Sequence, residues 1–263
     1  LALGVVLSRK HFVQFVHGGE WEDYPCGRYL LNRLLRVARE TVVSSVATQH
    51  RWLSPRLFHK VRVIRPGLSA ITPIAKRHDA LRNPVSTSGK PFRVVAVARL
   101  SARKGFERLI KAVKLLRERG VPIELQIVGS GPMEPQLRLL SGDGRYITFL
   151  TDASDSELLR SYDSADLFAL VPKEIKGGEA WEGFGIVYLE AAARGLPILA
   201  SRFGGIPEAV SPAGSTLLDE ECSERDIADA LSYLILNPQK LREMSVANIE
   251  WAEKNTWETR RVL

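Results

Sequence analysis

Short apolar runs alternate with helix-period stretches along the second part of the chain. From residue 91 onward, each run is rich in Val, Ile and Leu and ends at Gly, Pro or a polar residue. Strands that are apolar on both faces and joined by helices form parallel sheets. The pattern therefore predicts a doubly wound α/β domain. Its predicted strands are 92–98, 123–128, 146–150, 166–171, 197–201 and 215–218, and its predicted helices are 106–119, 155–162, 186–194 and 227–236.

The same alternation of apolar runs and helix-period stretches occurs before residue 90, over a shorter length of chain. It predicts helices over 1–9 and 27–39 and strands over 12–16, 41–44 and 61–64. These strands make about half of a doubly wound domain, and no glycine-rich first turn precedes them. We therefore expect the beginning of this domain to be missing. The chain also starts at Leu1 rather than methionine, as a fragment would.

The residues between the two parts predict a linker. They include Pro73, Pro84 and the run STSG over 86–89. We predict a partial N-terminal Rossmann-like domain over 1–75, a linker over 76–91 and a second Rossmann-like domain over 92–245. A C-terminal helix over 246–263 is expected to pack back toward the first domain.

The amino-acid composition limits the classes of protein to which the chain can belong. The chain has 263 residues, of which 45% are apolar, enough for an ordinary globular core. Cys26 and Cys222 lie far apart without zinc spacing, so we expect neither disulfides nor a metal site, and a cytoplasmic location. Apolar runs stop well short of the roughly 20 residues of a spanning helix, so no transmembrane or signal segment is expected.

Charge is distributed unevenly. Residues 1–90 carry 15 Lys and Arg against 5 Asp and Glu, a net +10, whereas residues 91–263 carry 22 against 25, a net −3. The basic part predicts an anionic partner such as lipid head groups or a phosphorylated acceptor, although an arginine-rich solvated surface is an equally open interpretation. Nucleic acid is not expected, because no binding module is recognisable.

A carboxylate followed by a glycine turn is the first candidate for chemistry. Glu182 precedes Gly183, Phe184 and Gly185, which run directly into the helix predicted to begin at Ile186. Glycines let a ligand approach the backbone, and the helix start offers unpaired N–H groups to an anion. A diphosphate or a sugar ring could bind there.

A second carboxylate, Glu190, lies inside the apolar run 186–193. An isolated buried carboxylate is costly, so it needs a partner, a ligand or water. Glu190 could accept hydrogen bonds from vicinal hydroxyls such as those of a ribose, and we favour a ligand because the flanking alanines and leucine imply burial that a weak surface pair would not offset. The alternative is an ion pair with Arg194 one helical turn later, worth a few tenths of a kcal/mol at a surface.

Cations and further glycines are predicted at the same sheet edge. Arg99 leaves the strand 92–98 and Lys104 begins the next helix, so both can converge on a phosphate, whereas Arg103 is expected to be solvated. Gly129 and Gly131 form another strand-to-helix turn, which either lies beside a nucleotide or is only a tight connection.

His17 follows the strand 12–16 and precedes two glycines, a position that faces the cleft of such a fold. A lone histidine is nevertheless more often structural. No Ser-His-Asp order, zinc spacing, P-loop or acidic metal cluster is present in the sequence. Carboxylates, cations and glycine turns therefore make up the candidate site.

Taken in order, these segments resemble the retaining family 4 glycosyltransferases (glycosyl transferases group 1), which have the two-domain GT-B architecture. The segments are ARLSARKGFERLIKA, IVGSGP, ADLFALVP, EGFGIVYLEAAARGLPILAS and GGIPEAV, and the resemblance is dense from 93 to about 257. HFVQFVHGGE and VRVIRPG resemble the second half of that family's N-terminal domain. The ordered set is specific, whereas no single segment is.

The resemblance implies a retaining, metal-independent hexosyltransferase that needs no cofactor beyond its substrate, a nucleotide-diphosphosugar donor of the UDP or GDP type. The N-terminal domain would be on the acceptor side, and the second domain would bind the donor. Glu182 would contact the transferred sugar and Glu190 the ribose. The sugar and the diphosphate would be lined by the backbone at Gly183, Phe184, Gly185 and Ile186, with Gly129 and Gly131 nearby. The charge of the leaving diphosphate would be neutralised by Arg99 and Lys104. His17 would lie beside the donor sugar and the acceptor.

The acceptor would be a hydroxyl, and a lipid-linked one would bring the basic part to the inner face of the membrane. Two features depart from the family pattern: the long stretch 173–181 and Thr151, where a glycine is frequent. They leave the sugar and the base open. A non-catalytic nucleotide-sugar binding module and a GT-B-type epimerase or phosphorylase are the alternatives.

Overall fold

The protein consists of two parallel sheets flanked by helices. The computed structural model describes residues 13–16, 36, 38, 40–69, 72–75, 90–175 and 181–260. Within these ranges every strand pair is parallel, in the orders β1-β2-β3 and β6-β5-β4-β7-β8-β9. The predicted parallel α/β class is therefore confirmed.

The smaller sheet is formed by residues before position 70. Its strands are β1 (Val13–Val16), β2 (Glu40–Val43) and β3 (Val61–Val63). Helix α1 (Val46–Trp52) and a 3-10 helix (Pro55–Lys60) connect β2 to β3. The strands agree with the predictions to within a residue or so, whereas α1 and the 3-10 helix were not predicted. The predicted helix 1–9 and most of 27–39 lie outside the described residues.

The larger sheet contains six strands and is covered by helices. The strands are β4 (Phe92–Val97), β5 (Ile123–Val128), β6 (Ile147–Leu150), β7 (Leu167–Leu170), β8 (Ile198–Ser201) and β9 (Ser215–Leu218). The helices are α2 (Phe106–Glu118), α3 (Glu134–Ser141), α4 (Asp155–Ser164), α5 (Ile186–Ala193), α6 (Ile206–Ala209), α7 (Glu224–Leu236), α8 (Pro238–Lys254) and α9 (Trp257–Arg260). A 3-10 turn over Ala102–Lys104 precedes α2.

The predicted helix starts at 106, 155 and 186 match the structure, whereas two others differ. Helix α7 begins three residues before its predicted start, because Ser223 and Asp226 form a capping box whose polar residues do not show the apolar period. Helix α8 begins at Pro238, a residue type favoured in the first turn, rather than at 246. Helix α3 was not predicted.

The core lies around the central strand β7, all four residues of which are buried. Helix α5 packs there through Tyr188 and its alanines, and the Tyr188 ring meets Phe168 edge-on at 5.5 Å. Strand β7 ends and helix α5 begins at the carboxyl edge of the sheet. The core therefore fixes both ends of the segment that carries Glu182.

The end of helix α8 returns to the segment after β3. Leu68 donates its backbone N–H to Asn255 O at 2.9 Å and accepts from Trp257 N at 3.0 Å. Gly67 is needed there, since a Cβ would lie 2.7 Å from the Trp257 backbone nitrogen. The boundaries 1–75, 76–91, 92–245 and 246–263 stay predictions, and residues 76–89 lie outside the described part of the chain.

Candidate active site

Glu182 and Lys104 meet in a buried ion pair at the carboxyl edge of the larger sheet. Glu182 comes from the loop before α5, and Lys104 from the 3-10 turn that follows β4. The Lys104 Nζ lies 2.5 Å from the Glu182 Oε2, and both side chains are only 10% exposed. The two residues predicted to contact a donor's sugar and diphosphate are thus in direct contact.

The turn that carries Lys104 requires a glycine at its end. Gly105 has a φ of 73°, and a Cβ at this position would lie 2.1 Å from the carbonyl oxygen of Val171. The turn is therefore pressed against the end of strand β7. This close approach brings Lys104 to the loop that follows β7.

Burial lowers the pKa of Lys104 below its ordinary value, because the charged ammonium is desolvated. The Glu182 carboxylate offsets part of this effect, while the nearby Arg103 adds to it. A buried ammonium with only partial compensation attracts a further anion, so the environment of Lys104 suits a phosphate group.

The expectation that Arg103 is solvated is wrong. Its Nη1 donates to the Glu182 Oε2 at 3.1 Å and to the Trp181 backbone oxygen at 3.2 Å. Arg103 therefore shares one carboxylate oxygen with Lys104. The sequence holds no local sign of this pairing, because the partners are 79 residues apart.

Arg99 follows the end of β4 and is exposed. Within the described ranges no hydrogen bond or ion pair of the Arg99 side chain is observed. The structure thus places Arg99 near the carboxyl edge without joining it to Glu182. Its side chain remains available to a ligand that approaches from solvent.

Glu190 is half-buried on helix α5 and is bound to a tyrosine from helix α4. The Tyr162 hydroxyl donates to the Glu190 Oε2 at 3.0 Å. Burial raises the pKa of Glu190, and the Tyr162 hydrogen bond acts in the opposite direction. Burial also raises the pKa of Tyr162 well above its ordinary value, so the phenol keeps the proton it donates.

The alternative pairing of Glu190 with Arg194 is wrong. The Arg194 guanidinium instead forms an ion pair with Asp163 and donates to the Pro73 backbone oxygen at 3.1 Å. Glu190 is therefore left with a neutral partner, Tyr162. Glu190 and Glu182 have different partners and are carried by consecutive elements, the loop before α5 and α5 itself.

Residues from both parts of the chain contact the glycine turn between Glu182 and Glu190. The Gly183 carbonyl accepts from the Ser44 hydroxyl at 3.2 Å and the Thr48 hydroxyl at 3.3 Å, both before residue 70. The Arg260 guanidinium lies over the buried Phe184 ring, 5.6 Å from its centroid. Helix α5 then starts after Gly185, whose φ is 86°, and Ile186 is partly exposed.

Gly129 and Gly131 pack against the loop that carries Arg99. A Cβ at Gly129 would lie 2.2 Å from the Ala98 oxygen, and one at Gly131 would lie 2.5 Å from the Leu100 oxygen. Tight backbone packing therefore accounts for both glycines. Their predicted position beside a nucleotide stays a prediction, and His17 lies outside the described residues.

The described residues contain neither a metal-binding cluster nor a membrane-spanning helix. No group of three or more His, Cys, Asp or Glu side chains there is arranged to hold a metal ion. None of the helices described is both long and apolar enough to cross a bilayer.

Sequence comparison identifies the family. The model of glycosyl transferases group 1 matches residues 78–251, a span that includes Arg99, Lys104, Glu182 and Glu190. The chain therefore belongs to this family of GT-B glycosyltransferases.

Curated relatives extend the comparison beyond the matched span. The GDP-mannose-dependent alpha-(1-6)-phosphatidylinositol monomannoside mannosyltransferase of Mycolicibacterium smegmatis is 31% identical over 264 residues, which cover 95% of this chain and 68% of the relative. The amylovoran biosynthesis glycosyltransferase AmsK of Erwinia amylovora is 29% identical, with 88% of this chain and 53% of the relative covered. The chain thus spans about half to two thirds of the length of these relatives.

Solved structures agree on the fold. The Anabaena HepE protein in complex with UDP and glucose superposes with a TM-score of 0.77 at 20% identity, covering 99% of this chain and 72% of HepE. Sucrose-phosphate synthase from Thermosynechococcus elongatus gives a TM-score of 0.73 at 22% identity, covering 99% of this chain and 68% of that protein.

Proposed function

We propose that the protein is a retaining hexosyltransferase that moves a hexose from a nucleotide diphosphosugar to an acceptor hydroxyl. The observation that carries this proposal is the buried contact between Lys104 and Glu182 at the carboxyl edge of the sheet. In open parallel sheets ligands bind at this edge. A cation for the diphosphate and a carboxylate for sugar hydroxyls lie side by side there.

Each residue of the candidate site has its own proposed role in the transfer. Lys104 and Arg99 stabilise the charge that builds on the departing diphosphate, so the site needs no metal for this step. Glu182 orients the sugar, Glu190 binds the ribose, and the backbone around Phe184 lines the diphosphate. His17 is assigned to the sugar and acceptor side.

The proposed bond changes retain the anomeric configuration. The bond between the anomeric carbon and the diphosphate oxygen breaks, and the acceptor oxygen bonds to the same face of the sugar. The acceptor proton passes to the departing phosphate. Lys104 assists the first change because, once it has bound the diphosphate, its charge already lies beside the leaving group when the bond breaks.

The relatives indicate which substrates to test first. The M. smegmatis relative is named for GDP-mannose and a phosphatidylinositol mannoside. We therefore propose a GDP-linked hexose as the leading donor, with UDP-linked hexoses second, and a lipid-linked hydroxyl as the acceptor.

Membrane contact is proposed for the basic first part of the chain, at the inner face of the cytoplasmic membrane. Residues 40–69 carry Arg51, Arg56, Lys60, Arg62 and Arg65 against Glu40 alone. Arg56 and Arg62 are exposed, and each cation near an anionic leaflet contributes about 1 kcal/mol. Flotation with liposomes tests this: binding should rise with anionic lipid content, and equal flotation with neutral vesicles would contradict it.

A transfer assay tests the proposed reaction. GDP-, UDP- and ADP-hexoses are offered with lipid-linked and free hydroxyl acceptors, in the presence of a chelator, and the product's anomeric configuration is read by NMR. We expect transfer with retention. Inversion, a metal requirement, or isomerisation or phosphorolysis without acceptor would contradict the proposal; nucleotide binding without transfer would favour a binding module.

Tyr162→Phe tests the role of Glu190 through pH. The hydrogen bond from Tyr162 stabilises the charged carboxylate, so its loss should raise the pKa of Glu190 further. The carboxylate should then be protonated at higher pH, and the KM for donor should begin to rise earlier as the pH falls from neutral. The ring remains to pack against Phe168.

The matched control is the exposed Tyr233→Phe, which should keep the wild-type profile. KM for donor is measured from neutral to mildly acidic pH for all three proteins. Identical profiles for Tyr162→Phe and wild type would show that Glu190 does not bind the donor through its carboxylate.

A further inference from the structure

Two cations share one carboxylate oxygen in the candidate site. The Glu182 Oε2 lies 2.5 Å from the Lys104 Nζ and 3.1 Å from the Arg103 Nη1. Two positive charges therefore face one negative charge where solvent screening is weak. A further anion bound beside them would balance the second positive charge.

The two cations are held differently. Arg103 also donates to the Trp181 backbone oxygen at 3.2 Å, and its own backbone oxygen accepts from Lys173 N at 3.0 Å. Arg103 is thus held by two residues of the loop that carries Glu182, Lys173 and Trp181. Lys104 contacts Glu182 through a flexible four-carbon side chain, so its ammonium can move to another anion.

The side chains of Lys104 and Arg103 also differ in their exposure to solvent. The Lys104 side chain is 10% exposed, whereas that of Arg103 is 32% exposed. The ammonium is the more desolvated cation, and its attraction for an anion is less weakened by solvent screening. An incoming diphosphate should therefore draw Lys104, not Arg103, away from the carboxylate.

We propose that Arg103 is a positioning residue that keeps Glu182 ionised and oriented when a diphosphate takes Lys104. This inference rests on the proposed function, because it needs a nucleoside diphosphate at Lys104. Without Arg103, the diphosphate would have to remove the remaining counterion of a buried carboxylate. Binding would then leave that carboxylate unpaired.

A double-mutant cycle separates this role from simpler ones. The dissociation constants of GDP and UDP are measured by calorimetry for wild type, Arg103→Gln, Glu182→Gln and the double variant. In the wild-type background, Arg103→Gln should weaken binding by about tenfold to a hundredfold, the range for a charge-assisted hydrogen bond. In the Glu182→Gln background, where no carboxylate needs a counterion, the same change should cost about threefold or less.

Two further variants serve as controls. Arg103→Lys keeps the charge and should restore part of the affinity that Arg103→Gln loses. Arg119 is a surface arginine at the C-terminal end of helix α2, far along that helix from Lys104, and it pairs with Asp229. Arg119→Gln should leave nucleotide affinity unchanged.

The outcomes distinguish the inference from the proposed function. Equal losses in both backgrounds would overturn it, because a residue that binds the diphosphate directly, or only supports the loop through Trp181, acts without Glu182. A wild-type protein that binds neither GDP nor UDP would overturn both. Binding by wild type without coupling between Arg103 and Glu182 would overturn the inference alone.

Discussion

Lys104→Ala is expected to reduce transfer by about a hundredfold to a thousandfold, the cost of removing one preorganised electrostatic contact from a transition state. The loss should fall mainly on kcat, because charge on the departing diphosphate is greatest as its bond to the sugar breaks. Lys104 is placed for this role by Gly105 and by its contact with Glu182. Steady-state kinetics with the active donor measure the effect.

Lys111→Ala is the matched control for this experiment. Lys111 is an exposed lysine of the same helix-turn unit, on helix α2. It should keep wild-type kinetics. If Lys104→Ala matched Lys111→Ala in both kcat and KM, Lys104 would have no part in transfer.

Glu182→Gln is expected to lower both activity and stability. The change leaves the buried Lys104 beside Arg103 without a carboxylate. Removal of one partner of a buried pair costs about 3 kcal/mol at the lower end of the usual range, and we expect this lower value because the Arg103 side chain is already 32% exposed. For a chain of this length the melting temperature should fall by roughly 6–12 °C.

Addition of Lys104→Met to Glu182→Gln should recover much of that stability but no activity. The second change removes the unpaired ammonium and leaves an apolar side chain of similar length. Glu134→Gln, which removes the partner of Arg138 on the surface of helix α3, serves as control and should shift the melting temperature little. No loss of stability in Glu182→Gln would contradict the buried pair.

The strands of the larger sheet could be predicted because their signal is local. Ile123–Val128 and Ser215–Leu218 have the predicted bounds, since apolar runs end where Gly, Pro or polar residues begin. Helix α3 was missed because its polar, proline-containing start, Glu134-Pro135-Gln136, obscures the apolar period. Local pattern thus fails where polar residues and a proline hide the apolar period of a helix.

The candidate site was predicted in part. The carboxyl-edge rule allowed Glu182 and Lys104 to be placed together, because each follows a strand of one parallel sheet. The roles of Arg103, Tyr162 and Thr48 depend on contacts between residues 79, 28 and 135 positions apart. No local pattern encodes such contacts.

The most direct test of the donor site is a crystal structure with bound nucleoside diphosphate. We predict a diphosphate within hydrogen-bond distance of the Lys104 Nζ and a ribose whose hydroxyls meet the Glu190 carboxylate. Density at another place, such as the groove that Arg93, Glu124 and Arg145 line near the amino ends of β4, β5 and β6, with none at Lys104, would contradict the account.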